Sequence, residues 1–300
     1  MVTTVLATIP QPPVDALMPK TAETIFNVFI FIPLGIGLAL ALRKLFKGQG
    51  PLLLYCILGG ALAASFEPVV DVLGLVFLKE RGALGTFTIL DRTMPLYICF
   101  VYPWYVGGLG YLAYKLFKRG VTMRDLFLLW AIDFLVDIFL ESPGILAGTY
   151  LYYGHQPFNI WGFPLWWGFV NPVMPMVAGA LIFHIRPHLN TAWKLPAVIA
   201  CIPMADGIAN GATAWPMWAA LNQADVSYVW TYLASFVTLG LALFSVWIIG
   251  LSVVGHGELA HPESETLWQK LKAISAPDPR TAVPSPVTLR SGHGTRHTFG

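Results

Sequence analysis

Six carboxylates stand in stretches that are otherwise too apolar for charge: Glu67, Asp71, Asp133, Asp137, Glu141 and Asp206. A charged acid at the centre of a membrane helix costs about 2.5–3.5 kcal/mol on the insertion scale, so such residues are candidates for function. Their spacing is helical. Glu67 and Asp71 stand at i and i+4, and Asp133, Asp137 and Glu141 at i, i+4 and i+8, so each set lies along one helix face. Several like charges in a low dielectric cannot all ionise, so at least one acid is expected to keep its proton. A carboxylic acid held neutral in a dry pocket can donate that proton to a weak base. Asn171 and Asn210 fall at a similar depth and are candidates to orient water or substrate. No Lys or Arg shares that depth, and Arg92 and Arg81 at the rim are the nearest cations. Bonding between helices accounts for any one acid more readily than for the whole set.

Aromatic residues crowd the same level. Tyr150, Tyr152, Tyr153, Trp161 and Trp166 read mainly as an interfacial belt. Trp104 and Trp167 lie deeper, where a ring face can stabilise a passing carbocation through its quadrupole. His155 lies in an outer loop and reads as a surface residue before a base or a ligand. Cys56, Cys99 and Cys201 all fall in apolar blocks and read as packing residues. His184 and His188, at the cytoplasmic end, read as interfacial residues, and no Cys cluster specifies a metal.

The elements that must carry these residues are membrane helices. The chain has 300 residues, 56% hydrophobic and 11% charged, against about 25% charged in soluble domains. A net charge of +2 implies no nucleic-acid partner. Apolar blocks long enough to cross a bilayer predict an all-α bundle of seven transmembrane helices, at 24–44, 51–78, 96–117, 124–142, 164–186, 194–220 and 227–254. The polar run Asp206–Gly211 suggests a bend or unwinding in the sixth. Arg43, Lys44 and Lys47, then Lys115, Lys118, Arg119 and Arg124, then Arg186 and Lys194 occupy alternate loops. The positive-inside bias therefore places the amino terminus outside and the carboxyl terminus in the cytoplasm of a multi-pass cell-membrane protein. Residues 1–23 form an extracytoplasmic segment, 24–255 the bundle and 256–300 a cytoplasmic tail. The tail is expected to hold a short interfacial helix at 262–275 and to be disordered from 276.

Size, helix count and the pair Phe66-Glu67 late in the second span resemble the small integral membrane terpene cyclases of fungal meroterpenoid and bacterial drimentine-type pathways. That resemblance implies Glu67 as proton donor, with an aspartate on a later helix, Asp206 or Asp225, beside it. It departs at Ala63-Ala64-Ser65, where the family has an Asn-containing approach, and in a final span without Asp. The stretch Gly148-Thr149-Tyr150-Leu151-Tyr152-Tyr153-Gly154 is similar to a Gly-x-Tyr-x-Tyr-Gly stretch of carotenoid hydratases. Either likeness implies a membrane-dissolved isoprenoid substrate, taken from the lipid bilayer, with no cofactor. Glu67 or Asp206 would be the acid, and Asp71, Asp133 and Asp137 would tune or relay the proton. Glu141, Asn171, Asn210, Trp104, Trp167 and Arg92 would bind substrate.

Two other classes compete. The acid pairs also resemble the motifs that hold magnesium and diphosphate in intramembrane prenyltransferases, which would make Mg²⁺ the cofactor and give the diphosphate to Arg81 and Arg92. Against it stand seven spans rather than nine and acids that face outward. A row of acids at mid-depth could instead relay protons in a transporter, but the chain shows no internal repeat of the transporter kind. A retinal protein is weaker still, because the seventh span has no lysine.

Overall fold

The computed structural model describes residues 9–225 and 227–275, and the chain they trace is mostly helical. The expectation of disorder from 276 lies outside the described residues. Six helical runs are long and apolar enough to cross a membrane: Lys20–Phe46, Leu52–Gly74, Leu96–Arg119, Leu165–His188, Leu195–Thr213 and Tyr228–Val253. A further helix, Met123–Leu146, has 24 residues. It also carries Arg124, Asp125, Asp133, Asp137 and Glu141, a charge load that sets it apart from those six.

In chain order the helices are α1 (Lys20–Phe46), α2 (Leu52–Ala63), α3 (Glu67–Gly74), α4 (Leu96–Tyr102), α5 (Leu109–Arg119), α6 (Met123–Leu146), α7 (Leu165–Val170), α8 (Val173–Ile185), α9 (Val198–Thr213), α10 (Trp215–Leu221), α11 (Tyr228–Val253) and α12 (Leu267–Ser275). Several runs are broken where proline or glycine demands it. Between α4 and α5 the residues Pro103–Gly108 form a π-helical turn, because Pro103 has no N–H to give the carbonyl four residues back. Between α7 and α8, Asn171 and Pro172 make a turn. The unwinding expected at Asp206–Gly211 is absent. Asn210 donates from Nδ2 to Asp206 Oδ1 at 2.9 Å, inside one helical turn, so the polar pair closes on itself and α9 runs through. The break comes at Ala214, ahead of Pro216.

The bundle is not purely α. Residues 75–78, expected to finish the second span, leave the helix at Leu75 with φ of 55° and pair as strand β1 (Val76–Leu78). Strands β2 (Gly85–Ile89) and β3 (Arg92–Pro95) form one hairpin. Strand β4 (Tyr150–Tyr152) runs antiparallel to β1, with Val76 opposite Tyr152 and Leu78 opposite Tyr150, and β5 (Asn159–Ile160) pairs with β6 (Phe163–Pro164). These ribbons sit at one end of the bundle. Glu23, at that end, is buried and accepts the Leu84 N–H at 2.6 Å, so α1 begins at Lys20 rather than at 24.

Helix contacts rest on small residues, as in membrane bundles generally. A Cβ added at Gly60 would meet the Tyr102 carbonyl oxygen at 2.5 Å and the Pro103 Cα at 2.6 Å, both backbone atoms that cannot step aside. Gly60→Val should therefore push α2 off the π turn and cost at least the ~1–3 kcal/mol typical of overpacking. Thermal unfolding in detergent, compared with Gly207→Ala, where a Cβ meets nothing within 4 Å, checks this.

At the opposite end the chain after α11 turns back beneath α5. The Glu258 and Leu259 N–H groups donate to the carbonyls of Lys118 and Arg119. Arg119 holds Glu265 through Nε at 2.9 Å and Nη2 at 2.5 Å. Of the helix expected at 262–275, Leu267–Ser275 forms α12, which packs one face on protein. Lys270 is fully buried, with Nζ 2.5 Å from Asp125 Oδ2, so α12 docks on protein through its charge. Its Trp268 remains exposed.

Candidate functional site

A small cavity of about 50 Å³ lies inside the bundle, bordered by Glu67, Tyr102, Tyr105, Asp137, Glu141, Trp167, Asn171 and Asn210, with Val70, Val101, Val106, Leu140 and Met174 completing the wall. Each polar residue reaches it through a local feature of the chain. Glu67 opens α3, just after a 3₁₀ turn at Ala64–Phe66, where Pro68 fits the first helical turn. Tyr102 and Tyr105 flank the start of the π turn, whose extra width sets Val101, Tyr102, Tyr105 and Val106 against one space. Asp137 and Glu141 repeat at i, i+4 along α6. Asn171 occupies the turn before α8. Trp167 fits because Gly74 opposite has no side chain: a Cβ there would lie 2.5 Å from the indole ring.

The acids are held by neutral donors. The Tyr102 hydroxyl donates to Glu67 Oε2. Glu141 Oε2 accepts from Tyr150 at 2.6 Å and from Tyr152 at 3.2 Å. Asp137 Oδ2 accepts from Asn171 Nδ2 at 3.0 Å. No lysine or arginine is among these partners. Hydroxyl and amide donors lend a carboxylate hydrogen bonds without cancelling its charge.

The structure gathers Glu67, Asp137, Glu141, Asn171, Asn210 and Trp167 at the cavity, all of them singled out by sequence. It places others elsewhere. Asp71 lies one helical turn beyond Glu67, buried, with Oδ1 unpartnered, and does not border the cavity. Asp206 is fully buried behind Asn210, with Oδ2 unpartnered. Asp133 is one turn from Asp137 and also outside the lining. Trp104, expected to line the cavity, points to a separate apolar groove instead. It adjoins Tyr105 within the π turn, and the two rings meet edge to face at 5.7 Å. Arg92 sits on β3 with its guanidinium 5.1 Å over the Phe77 ring and Nη2 3.3 Å from the Tyr153 hydroxyl, so it binds the ribbons rather than the cavity.

Sequence reasoning missed the tyrosines as acid partners. Tyr150 and Tyr152 looked like belt residues; their role depends on β4 pairing with β1, a contact far apart in sequence. Tyr102 was passed over, although its place in an apolar span, within one turn of Tyr105, was a signal that its hydroxyl needed a buried partner.

Among the described residues, no three His, Cys, Asp or Glu side chains converge as a ligand set. Arg81 is largely exposed beside Asp15, and Arg92 is engaged with Phe77 and Tyr153, its charge also reaching Asp71.

His155 is tied down more firmly than a surface residue. Its Nδ1 lies 2.6 Å from Thr231 Oγ1, and its ring stacks on Tyr228 at 3.8 Å. Burial lowers its pKa from the usual histidine value. The folded state thus binds its proton less readily than the unfolded chain, so stability is complete above the unfolded pKa of about 6.5 and declines as pH falls toward the folded value. Hydrogen exchange at residues 154–158 should accelerate over that window, and His155→Phe should flatten the dependence.

Compared with known proteins, the chain matches no family model, and neither a curated protein nor a solved structure is significantly similar to it.

Proposed function

We propose that the protein is a seven-span membrane enzyme, amino terminus outside and carboxyl terminus cytoplasmic, that starts the cyclisation, or the related hydration, of a membrane-dissolved isoprenoid by protonating it. The observation that carries this reading is the trio Glu67, Asp137 and Glu141 around one enclosed space, each bonded by neutral donors and none by a cation. Met123–Leu146 supplies the seventh span, its charges turned partly inward: Asp137 is 1% exposed.

Glu67, protonated, donates to an alkene carbon or an epoxide oxygen of the substrate. The alkene π pair forms the new C–H bond and leaves a tertiary cation. A second alkene closes the ring by attacking that cation. Trp167 and Tyr105 offer ring faces to the moving charge. A carboxylate of the trio then removes a proton from the adjacent carbon, forming the final alkene, and the proton passes back to Glu67 within the enclosure. The net change is an isomerisation. In the hydration variant a water takes the cation and its proton goes to the carboxylate. Ligand sites are typically about 300–1,000 Å³, so the cavity must widen to admit substrate. The breaks at Pro103–Gly108 and Asn171–Pro172 are where the surrounding helices can give.

One observation favours a second reading. A space of about 50 Å³ suits one or two waters, each filling about 30 Å³ in the liquid, and water between acids relays protons. Purified protein in nanodiscs, given a mixture of prenyl alcohols, squalene and carotenes in D₂O with EDTA, separates the two. The enzyme reading expects an isomer or hydrate carrying one new C–D bond. Absence of product, together with proton flux in proteoliposomes, would replace it with the relay.

A further inference from the structure

Resting on that reading, we propose that the substrate is admitted sideways from the bilayer through the apolar groove between α1 and α6, and that Leu140 is the gate into the acid cavity. The groove has a volume of about 230 Å³ and is bordered by Phe29, Pro33, Trp104, Val136, Phe139 and Leu140. Phe29, Val136 and Phe139 are exposed on the outer face of the bundle, as lipid-facing residues are. The occupant is an isoprenoid chain bearing one hydrogen-bond-accepting oxygen.

Three observations join the groove to the acids. First, Leu140 is the one residue that borders both spaces, so a single side chain forms the shared wall. Its neighbours on α6 divide cleanly, with Val136 and Phe139 on the groove side and Asp137 and Glu141 on the cavity side. Second, the wall is completed by the π turn, which sends Trp104 to the groove and Tyr105 to the cavity. Such turns are common at functional sites and offer a local change of winding. Third, the Trp104 indole N–H is buried without a partner. A donor in hydrocarbon surroundings left unspent by the protein is satisfied when a substrate oxygen passes the wall. A bulk acyl chain would leave that donor unspent.

The test uses a diazirine-bearing farnesyl ether as photoprobe, with the full chain in phosphatidylcholine nanodiscs and labelled residues mapped by mass spectrometry. Label is expected on Phe29, Val136 and Phe139 at about tenfold over Phe236 and Phe244 on α11, a discrimination within reach of a shaped apolar pocket. Excess farnesol should remove it. Leu140→Ala should carry more label onto Met174, across the wall, and Leu140→Trp less. Val136→Trp, at a site 41% exposed and so tolerant of bulk, should abolish groove labelling without depending on the gate. Equal label on α11, or Met174 labelling that ignores residue 140, would overturn the proposal. The two readings fail separately. Labelling that persists in Glu67→Gln when no turnover is ever found removes the enzyme and leaves the groove; turnover with an unchanged KM in both Leu140→Trp and Val136→Trp removes the portal and leaves the acid.

Discussion

Glu67→Gln should reduce isoprenoid turnover by about 10²–10⁴-fold, the contribution of a positioned general acid, with the fold intact. The substitution keeps shape and volume. The Tyr102 hydroxyl can donate to the amide oxygen as it does to Oε2, and α3 keeps its first turn. What is lost is the transferable proton. The loss should appear in kcat with KM little changed, because an interaction made only during proton transfer does not contribute to substrate binding. Glu141→Gln should also impair turnover, since the amide cannot take a proton from the cation. Asp206→Asn is the internal control: it is buried outside the cavity lining, and its effect should stay under about tenfold, or 1.4 kcal/mol. A Glu67→Gln protein that turns over at the wild-type rate would sink the acid assignment.

The second large effect lies at the far end of the molecule. Lys270→Met should destabilise the docked tail by about 3–5 kcal/mol, the penalty for stranding a buried charge. Asp125 is 7% exposed on its side chain, and its other contacts are the Thr122 N–H and hydroxyl, both at 2.9 Å. Those two bonds place the loss toward the lower end of that range. The double variant Asp125→Asn with Lys270→Met should recover most of it, because apolar or neutral pairs replace buried ion pairs at little cost. Protease susceptibility of the segment 255–266 reads the docking directly. Wild-type protection in the Lys270→Met variant would show that the pair contributes nothing there.

Much of the bundle was legible because apolar runs of bilayer length have few alternatives. Five of the six apolar helices begin and end within about four residues of the expected spans, and the expected span 194–220 is split into Leu195–Thr213 and α10. Met123–Leu146 was read from its apolar content despite its acids, and it kept its helix through Pro143. The cavity was legible where depth and helical phase were enough, as for Glu67, Asp137, Glu141, Asn171 and Asn210. Depth alone failed for Trp104, because neighbouring residues on a helix project to different sides, and with Tyr105 on the cavity Trp104 faces the groove. Apolar content hid strand β1, since Val76, Phe77 and Leu78 read as helix until a partner strand 74 positions away claims them. Lys270 was not singled out, for the same reason: Asp125, which draws it inside, stands 145 residues earlier. The polar run in α9 misled in the opposite direction, because hydrogen bonding within one turn answers the need that unwinding would have met.

The β1–β4 ribbon ties two of the acids to a common lever. One strand continues from the helix that Glu67 begins, and the other carries both hydroxyls that grip Glu141. A tug on the ribbon therefore reaches both carboxyls in a single motion. Pulling β4 away from that side would free Glu141 from both of its tyrosines at once.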